Sequence, residues 1–456
     1  MTTPLCLRES PLLLYAFGER SVIGGNAGVS DWGWDNGRAL IGVCVIIALA
    51  WGLSENRRVF PWRLALGALA VQMGLVLLLF GLPNSRPVLA AITGVVDGLN
   101  SATNAGTQFV FSFLGGGAQP YVASDPNAPP PFIFAFQVLP LILVISALSA
   151  LLWHWKILKW ITRGFGFLFQ KSMGLGGASA LATAANIFMG MVESPIVIKA
   201  YLDKLTRSEL FLMMVVGLAT VAGSTMVAYA TILAPTLPNA GGHVLVASII
   251  SAPAAILLAR IMLPETPGQG GEFADYTSSL KYEGAMDAIT RGVSDGLMVC
   301  VNIAATLLVF VAFVAIVNGM LGLFPDVAGA PLTLERVFGW LFAPLAYMIG
   351  ISAEESQKAG YFLGVKLFLT EFVAFIQLGA APVEEVSERT RMILTYALCG
   401  FANVGSVGIM VSGMTTLMPE RRTEILNLAW KSLLPGILAT AMTGALVAAL
   451  PAAVFQ

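Results

Sequence analysis

Hydrophobic residues in this chain fall in long unbroken runs, not in alternation. A run of about 20 apolar residues spans a bilayer as a helix. Runs of this kind predict eight spans, near 38–54, 64–82, 133–155, 209–234, 244–263, 296–318, 391–417 and 432–452. The continuity argues against a β-barrel, whose strands alternate apolar and polar positions. Between spans, 115–134 is rich in Gly and Pro and reads as an external loop. Residues 1–37 read as a leader; they lack the basic start and small-residue cleavage site of a signal peptide.

Two stretches, 157–206 and 332–384, are too polar and too broken for ordinary spans, and they resemble each other. One opens "RGFGFLFQ" at Arg163, the other "RVFGWLFA" at Arg336. Each continues through small residues to an apolar run holding one glutamate: "GMVESP" at Glu193 and "FLTEFVAF" at Glu371. Each is followed by a span broken by Gly and polar residues, "ATVAGSTMVAYA" and "CGFANVGSVGIM". The reading is an interfacial amphipathic helix, a re-entrant hairpin, a broken span and a full span, repeated twice.

Charge orients the elements. Arg57, Arg58, Arg63, Lys156, Lys159, Arg163, Lys171, Lys199, Lys204, Arg207, Arg260, Lys281, Arg291, Arg421, Arg422 and Lys431 share one side if both termini lie on the other. The positive-inside rule makes the basic side cytoplasmic. The first repeat then starts inside and the second outside. Inverted repeats with interrupted helices build midplane binding sites in many secondary transporters. The predicted class is an all-α integral membrane protein with eight transmembrane helices, two re-entrant helical hairpins and interfacial helices. Its expected segments are 1–37, a scaffold at 38–155, a first repeat at 156–263, a loop and scaffold helix at 264–331, and a second repeat at 332–456.

Composition agrees: 57% of the 456 residues are hydrophobic and 11% charged, against about a quarter charged in soluble domains. Net charge is −1 and no polybasic block occurs, so nucleic acid is not an expected partner. The four cysteines are scattered and the two histidines far apart, which offers no disulfide framework or transition-metal site. No nucleophile–base or HExxH pattern suggests an enzyme.

Ionisable groups inside a membrane usually face a cavity or a partner. Glu193 and Glu371 fall at the presumed hairpin tips. The alternative for each is a structural ion pair. Asn403 and Ser406 add an amide and a hydroxyl, with Phe401 beside them; alternatively they only re-satisfy a helix break. Asn186, Ser224 and Thr225 offer neutral oxygens that suit Na⁺, although Asn186 could simply cap a helix. Two carboxylates, an amide, a hydroxyl and an aromatic face point to a hydroxyl-rich solute with a flat part.

The sequence resembles the concentrative nucleoside transporter family from about Val138 to Leu434. "ATAANIFMGMVESPIVIK", "SIISAPAAILLARIMLPE", "RGVSDGLMVCVNIAA", "GVKLFLTEFVAF" and "LTYALCGFANVGSVGIM" carry the resemblance. It implies a multi-pass inner-membrane homotrimer that imports nucleosides by alternating access with Na⁺, or with H⁺ in some members. By the resemblance, Glu193, Glu371, Asn403 and Ser406 bind the ribose side and Phe401 packs near the base. Asn186, Ser224 and the carbonyls of Met189 and Thr225 hold sodium. The chain departs from the family at the first tip, where Gly190-Met191-Val192-Glu193 replaces Gly-Gln-Thr/Ser-Glu. Thr370 also stands for a common Asn, and "NVGS" for "NFSS". Met191 and Val192 remove an amide from the base pocket, which implies a lean toward purine nucleosides; simple packing is the other role for Met191. Protonation of Glu193 or Glu371 is the alternative coupling, and another hydroxyl-rich solute the alternative cargo.

Overall fold

The computed structural model describes residues 33–81, 85–120, 133–265, 280–327 and 329–451. Most of the expected leader and the centre of the 115–134 loop lie outside these residues. The scaffold begins with α1 (Trp34–Gly52) and α2 (Trp62–Val76), which runs on through a π-turn to Gly81. A 27-residue helix follows, α3 (Ser85–Phe111). The hydrophobic pattern did not mark it, because Asp97, Asn100, Asn104 and Gln108 interrupt every apolar run. The short α4 (Phe134–Gln137) leads into α5 (Leu139–His154), whose second residue, Pro140, suits a first helical turn.

The first repeat contains six helices. The interfacial α6 (Ile157–Met173) stops at Gly174, which has φ +65°; glycine takes that left-handed conformation without Cβ strain. The first hairpin is α7 (Gly177–Asn186) and α8 (Glu193–Val197), extended by a 3₁₀ turn at Lys199–Lys204. The broken span is α9 (Arg207–Ala219) and α10 (Gly223–Leu233), and the full span is α11 (Ala240–Met262). Thr206 and Glu209 start α9 with reciprocal side-chain-to-backbone bonds, each 3.1 Å long. Helix α12 (Ala285–Leu321) then crosses alone, packed chiefly on α5. At 37 residues it is about 55 Å long, well beyond the hydrocarbon core.

The second repeat reproduces the order: interfacial α13 (Leu334–Met348), hairpin α14 (Ala353–Phe368) and α15 (Glu371–Ala380), broken span α16 (Glu388–Leu398) and α17 (Val404–Leu417), and full span α18 (Arg422–Ala448). Pro253 in α11 and Pro435 in α18 stand at the same position within their helices. The chain turns by 117° between α13 and α14, at Gly350 with φ +97°. Among the described residues, seven helices are long and apolar enough to cross a membrane. The eighth span is divided between α16 and α17, and the polar α16 hides it from any apolarity test. The two hairpins and the repeat stand as the sequence predicts.

Helix α9 from Ser208 onward and nearly all of α11 are buried, as helices apolar on every side should be. Charged clamps hold the ends. Arg207 grips both oxygens of Glu55 at 2.6 and 3.0 Å, and Lys431 adds a third bond at 3.1 Å. The Arg207 guanidinium holds the Glu55 carboxyl down to about 2. Arg421 donates to the carbonyls of Leu202 and Leu205. These groups were expected on one face, and they meet there. At the other end, Asn36 donates to the carbonyls of Ala448 and Leu450, which brings both ends of the described chain together.

The two breaks touch. Phe401 N donates to the Thr220 carbonyl at 3.3 Å. A Cβ on Gly400 would lie 2.7 Å from the Ala219 carbonyl oxygen and 2.6 Å from Thr440 Cγ2. Gly400→Val is therefore expected to force the breaks apart and to cost about 1–3 kcal/mol of stability. Thermal unfolding of the purified variant checks this; an unchanged midpoint would show that the crossing tolerates a side chain.

Candidate functional site

Glu371 opens α15 at the tip of the second hairpin and is 4% exposed. The Thr370 hydroxyl caps the same helix, accepting from Phe372 N at 3.2 Å. Both carboxylate oxygens are engaged from other helices. Tyr229 of α10 donates its hydroxyl to Oε1 at 2.9 Å, and Asn403 donates Nδ2 to Oε2 at 2.6 Å. Asn403 Oδ1 accepts from Ser406 N at 2.6 Å, which caps α17 and fixes the amide's direction. The two readings of Asn403 are thus one arrangement: it repairs the helix break, and that repair aims its amine at Glu371. Tyr229 is itself held by stacking on Phe375 at 4.4 Å and by an edge contact with Phe372 at 5.1 Å. Each carboxylate oxygen keeps acceptor capacity beyond these bonds.

Glu193 opens α8 at the first tip, but its surroundings differ. No side chain caps this helix. The carboxylate folds back over Gly190 of its own turn. A Cβ on Gly190 would displace the carboxylate from this position. Glu193 stays half-buried, so it keeps an open side that Glu371 lacks.

The first tip docks on the break of its own repeat. Thr220 Oγ1 shares its one proton between the Val216 carbonyl of its own helix at 2.9 Å and the Asn186 carbonyl at 3.1 Å, and Gly223 N donates to the Phe188 carbonyl at 3.0 Å. The Asn186 side chain is 1% exposed. Its Oδ1 accepts from Ser194 Oγ at 2.7 Å, whereas its Nδ2 is buried with no hydrogen-bond partner among the described residues. Turned end for end, the amide donates to Ser194 and presents its oxygen to the unpartnered side. A buried amide oxygen beside a threonine hydroxyl and the carbonyl end of α7 fits a hard monovalent cation. Thr225 is 4% exposed and turns its hydroxyl to the Ala222 carbonyl at 2.8 Å. Ser224 lies next to it in the first turn of α10, beyond the break.

Met191 and Val192 are contact residues of the tip. A Cβ on Gly217 of α9 would lie 2.9 Å from Met191 Cβ, and a Cβ on Gly413 of α17 would lie 2.7 Å from Val192 Cγ1. Helix α17 therefore receives the first tip at Gly413 and the second tip at Asn403, roughly 15 Å apart along its axis. Between these contacts Val404, Gly408, Ile409 and Ser412 are exposed. Phe401 is half-buried at the break, held by its backbone bond to Thr220.

Sequence reasoning missed Tyr229, Thr220 and Ser194. Tyr229 had a signal, since it is the one phenol in the half-helix that follows the first break. Thr220 and Ser194 had none, as a hydroxyl residue in a small-residue segment is unremarkable. Two open clefts of about 490 and 440 Å³ lie elsewhere, around Pro61, Leu64, Met173 and Gly174, and take in neither Glu193 nor Glu371.

Comparison with known proteins agrees with this architecture. Residues 41–114 and 243–448 match the N- and C-terminal parts of the Na⁺ dependent nucleoside transporter family, and 135–236 match a nucleoside recognition gate. The nucleoside permease NupC of Helicobacter pylori is 35% identical over 410 residues, 89% of this chain and 95% of that protein. The rat sodium/nucleoside cotransporter 1 is 30% identical over 87% of this chain, which spans 61% of its length. The structure of CNTnw in an inward-facing substrate-bound state has a TM-score of 0.82 at 32% identity, covering 92% of this chain and 99% of that one. The chain belongs to the sodium-dependent concentrative nucleoside transporter family: it is a multi-pass integral membrane transporter, not an enzyme, and its coupling ion is sodium.

Proposed function

We propose that this protein is a homotrimeric, sodium-driven importer of nucleosides, with a lean toward purines, working by alternating access. The observation that carries the proposal is the pair of hairpin glutamates on either side of the exposed stretch of α17. Glu371 is held rigid by Tyr229 and Asn403; Glu193 is held only by its own turn. One presents a fixed acceptor, the other an adaptable one. Sugar hydroxyls can donate to both, with Ser406 and Asn403 on the Glu371 side, and the base then lies along the exposed stretch of α17 between Phe401 and the tip residues Met191 and Val192.

Sodium fits the contact of the first tip with the first break. Asn186, the Met189 carbonyl and Thr220 form the inner part of this site, and Ser224 and Thr225 lie in the adjoining turn. Because the tip must dock on the break to gather these oxygens, cation binding and hairpin closure are one event, which is how a gradient would drive the cycle. The purine lean rests on the tip, where methionine and valine offer no amide to a pyrimidine edge. A thioether accommodates a larger flat ring without a directional bond. A trimer accounts for the exposed apolar side of α12, with Leu308, Val311, Phe313 and Ile316 open.

Glu371→Gln and Glu193→Gln are each expected to abolish nucleoside uptake into proteoliposomes while the proteins stay monodisperse; near-normal uptake in both would remove this site. Asn186→Ala and Thr220→Val are expected to raise the sodium concentration for half-maximal uptake at least roughly tenfold, with a smaller effect from Ser224→Ala. Sodium titration of uptake tests that ranking, and an effect confined to Ser224→Ala would move the ion away from the break. Inosine should compete with labelled adenosine more strongly than uridine does. Equal competition by uridine would end the purine assignment.

A further inference from the structure

Lys366 is a buried cation with no part in the scheme above. It sits on α14, the first arm of the second hairpin, and is 2% exposed. Its ammonium donates to the Ala397 carbonyl at 2.8 Å and to Thr440 Oγ1 at 2.6 Å. Among the described residues it makes no ion pair. A buried ammonium must be compensated. Compensation comes from the carbonyl end of α16, a half-helix that stops at Leu398 and carries about half a negative charge there.

The first repeat has a half-helix in the same role. Helix α9 stops at Ala219, and Thr220 and Asn186 gather at its carbonyl end. Counting back from the hairpin glutamate, the fifth residue is Lys366 in the second repeat and Phe188 in the first. The seventh is Gly364 in the second and Asn186 in the first. Each repeat therefore has what the other lacks. The first supplies an amide and no cation; the second supplies a cation and no amide. Gly364 is pressed on Phe338 of α13, which leaves no room for a side chain.

We infer that Lys366 is the built-in cation of the second repeat. Its ammonium fills, at the end of α16, the place that sodium takes at the end of α9. This rests on the sodium site proposed above. A tethered ammonium cannot leave, so the second hairpin stays docked whether or not sodium is present. Sodium then acts through the first hairpin alone, and Lys366 positions Glu371 by holding α14 against α16.

Hydrogen–deuterium exchange on the purified full-length protein, in sodium or in choline, tests this without a variant. Sodium is expected to slow exchange across 177–204 and to leave 353–380 equally protected in both media. In Lys366→Gln, protection of 353–380 should become sodium-dependent. Nucleoside binding should then need about tenfold more sodium, with a Hill coefficient rising from about one to about two. Lys366→Arg should keep the wild-type curve. Should Lys366→Gln not fold, the near-isosteric Thr440→Val carries the same readout, as partial loss of sodium-free protection in 353–380. Wild-type protein in which 353–380 opens in choline as much as 177–204 would overturn the inference alone. So would a folded Lys366→Gln with an unchanged sodium curve. No sodium response in 177–204 would instead overturn the sodium site, and this inference with it.

Discussion

The structure depends on one crossing. Two membrane spans are each interrupted, and the interruptions meet where Phe401 N bonds to the Thr220 carbonyl and Gly400 presses on Ala219. Irregular backbone at membrane depth is tolerated only when its polar groups are satisfied within protein. Here each break helps to satisfy the other, and neighbours complete the set. Val221 N donates to Ser248 Oγ, Gly223 N to the Phe188 carbonyl of the first tip, and Ser406 N to Asn403 Oδ1. The half-helix ends that could bind solute and ions exist because this crossing stabilises them.

The repeat is visible in its interactions as well as its order. In the first copy, Ser179 of the hairpin donates to Glu209 on the broken span at 3.1 Å. In the second copy the acid has moved to the hairpin. Glu355 accepts from Ser387 Oγ at 2.9 Å and from Thr390 Oγ1 at 2.5 Å, both at the start of the broken span. The joint is the same with donor and acceptor exchanged. The far ends of the hairpins are clamped by arginines in both copies. Arg391 binds the carbonyls of Leu378 and Ala381, and Arg421 those of Leu202 and Leu205. With base and end fixed in both copies, the tips differ: Glu371 is bonded to Tyr229 and Asn403, whereas Glu193 has no such bond from another helix among the described residues.

Much of this was legible in the sequence. Apolar runs carry the spans, because crossing a bilayer is a demand on length and polarity that every position feels. The hairpins were legible through their glutamates, since an acid in such a run needs a reason. Helix α3 was not, because a helix with polar residues at every turn gives no continuous apolar signal. Partners were the least legible. Nothing in "MVAYATIL" shows that Tyr229 reaches Glu371, a residue 142 positions away. Such pairs come from packing between repeats, which periodicity does not encode. The proposed cation site shows the same limit. Ser224 and Thr225 stand out in the sequence as a hydroxyl pair in the first turn after the break, whereas the contact of Thr220 with the Asn186 carbonyl leaves no mark there.

On the proposed site, Met191 joins substrate choice to closure. Its Cβ sits against Gly217 of α9 at a distance that leaves no room for a side chain there. Its neighbour Val192 makes the matching contact with Gly413 of α17. The residues that replace the family's polar tip are thus the same ones that seat the tip on both broken spans. A polar side chain in their place would need a partner each time the tip docked, whether or not a base supplied one. An apolar tip docks without that requirement. On the proposed site, the change that gives up an amide to the base also makes hairpin closure independent of which base is bound, which would leave Glu193, Glu371 and the cation to decide when the site is occupied.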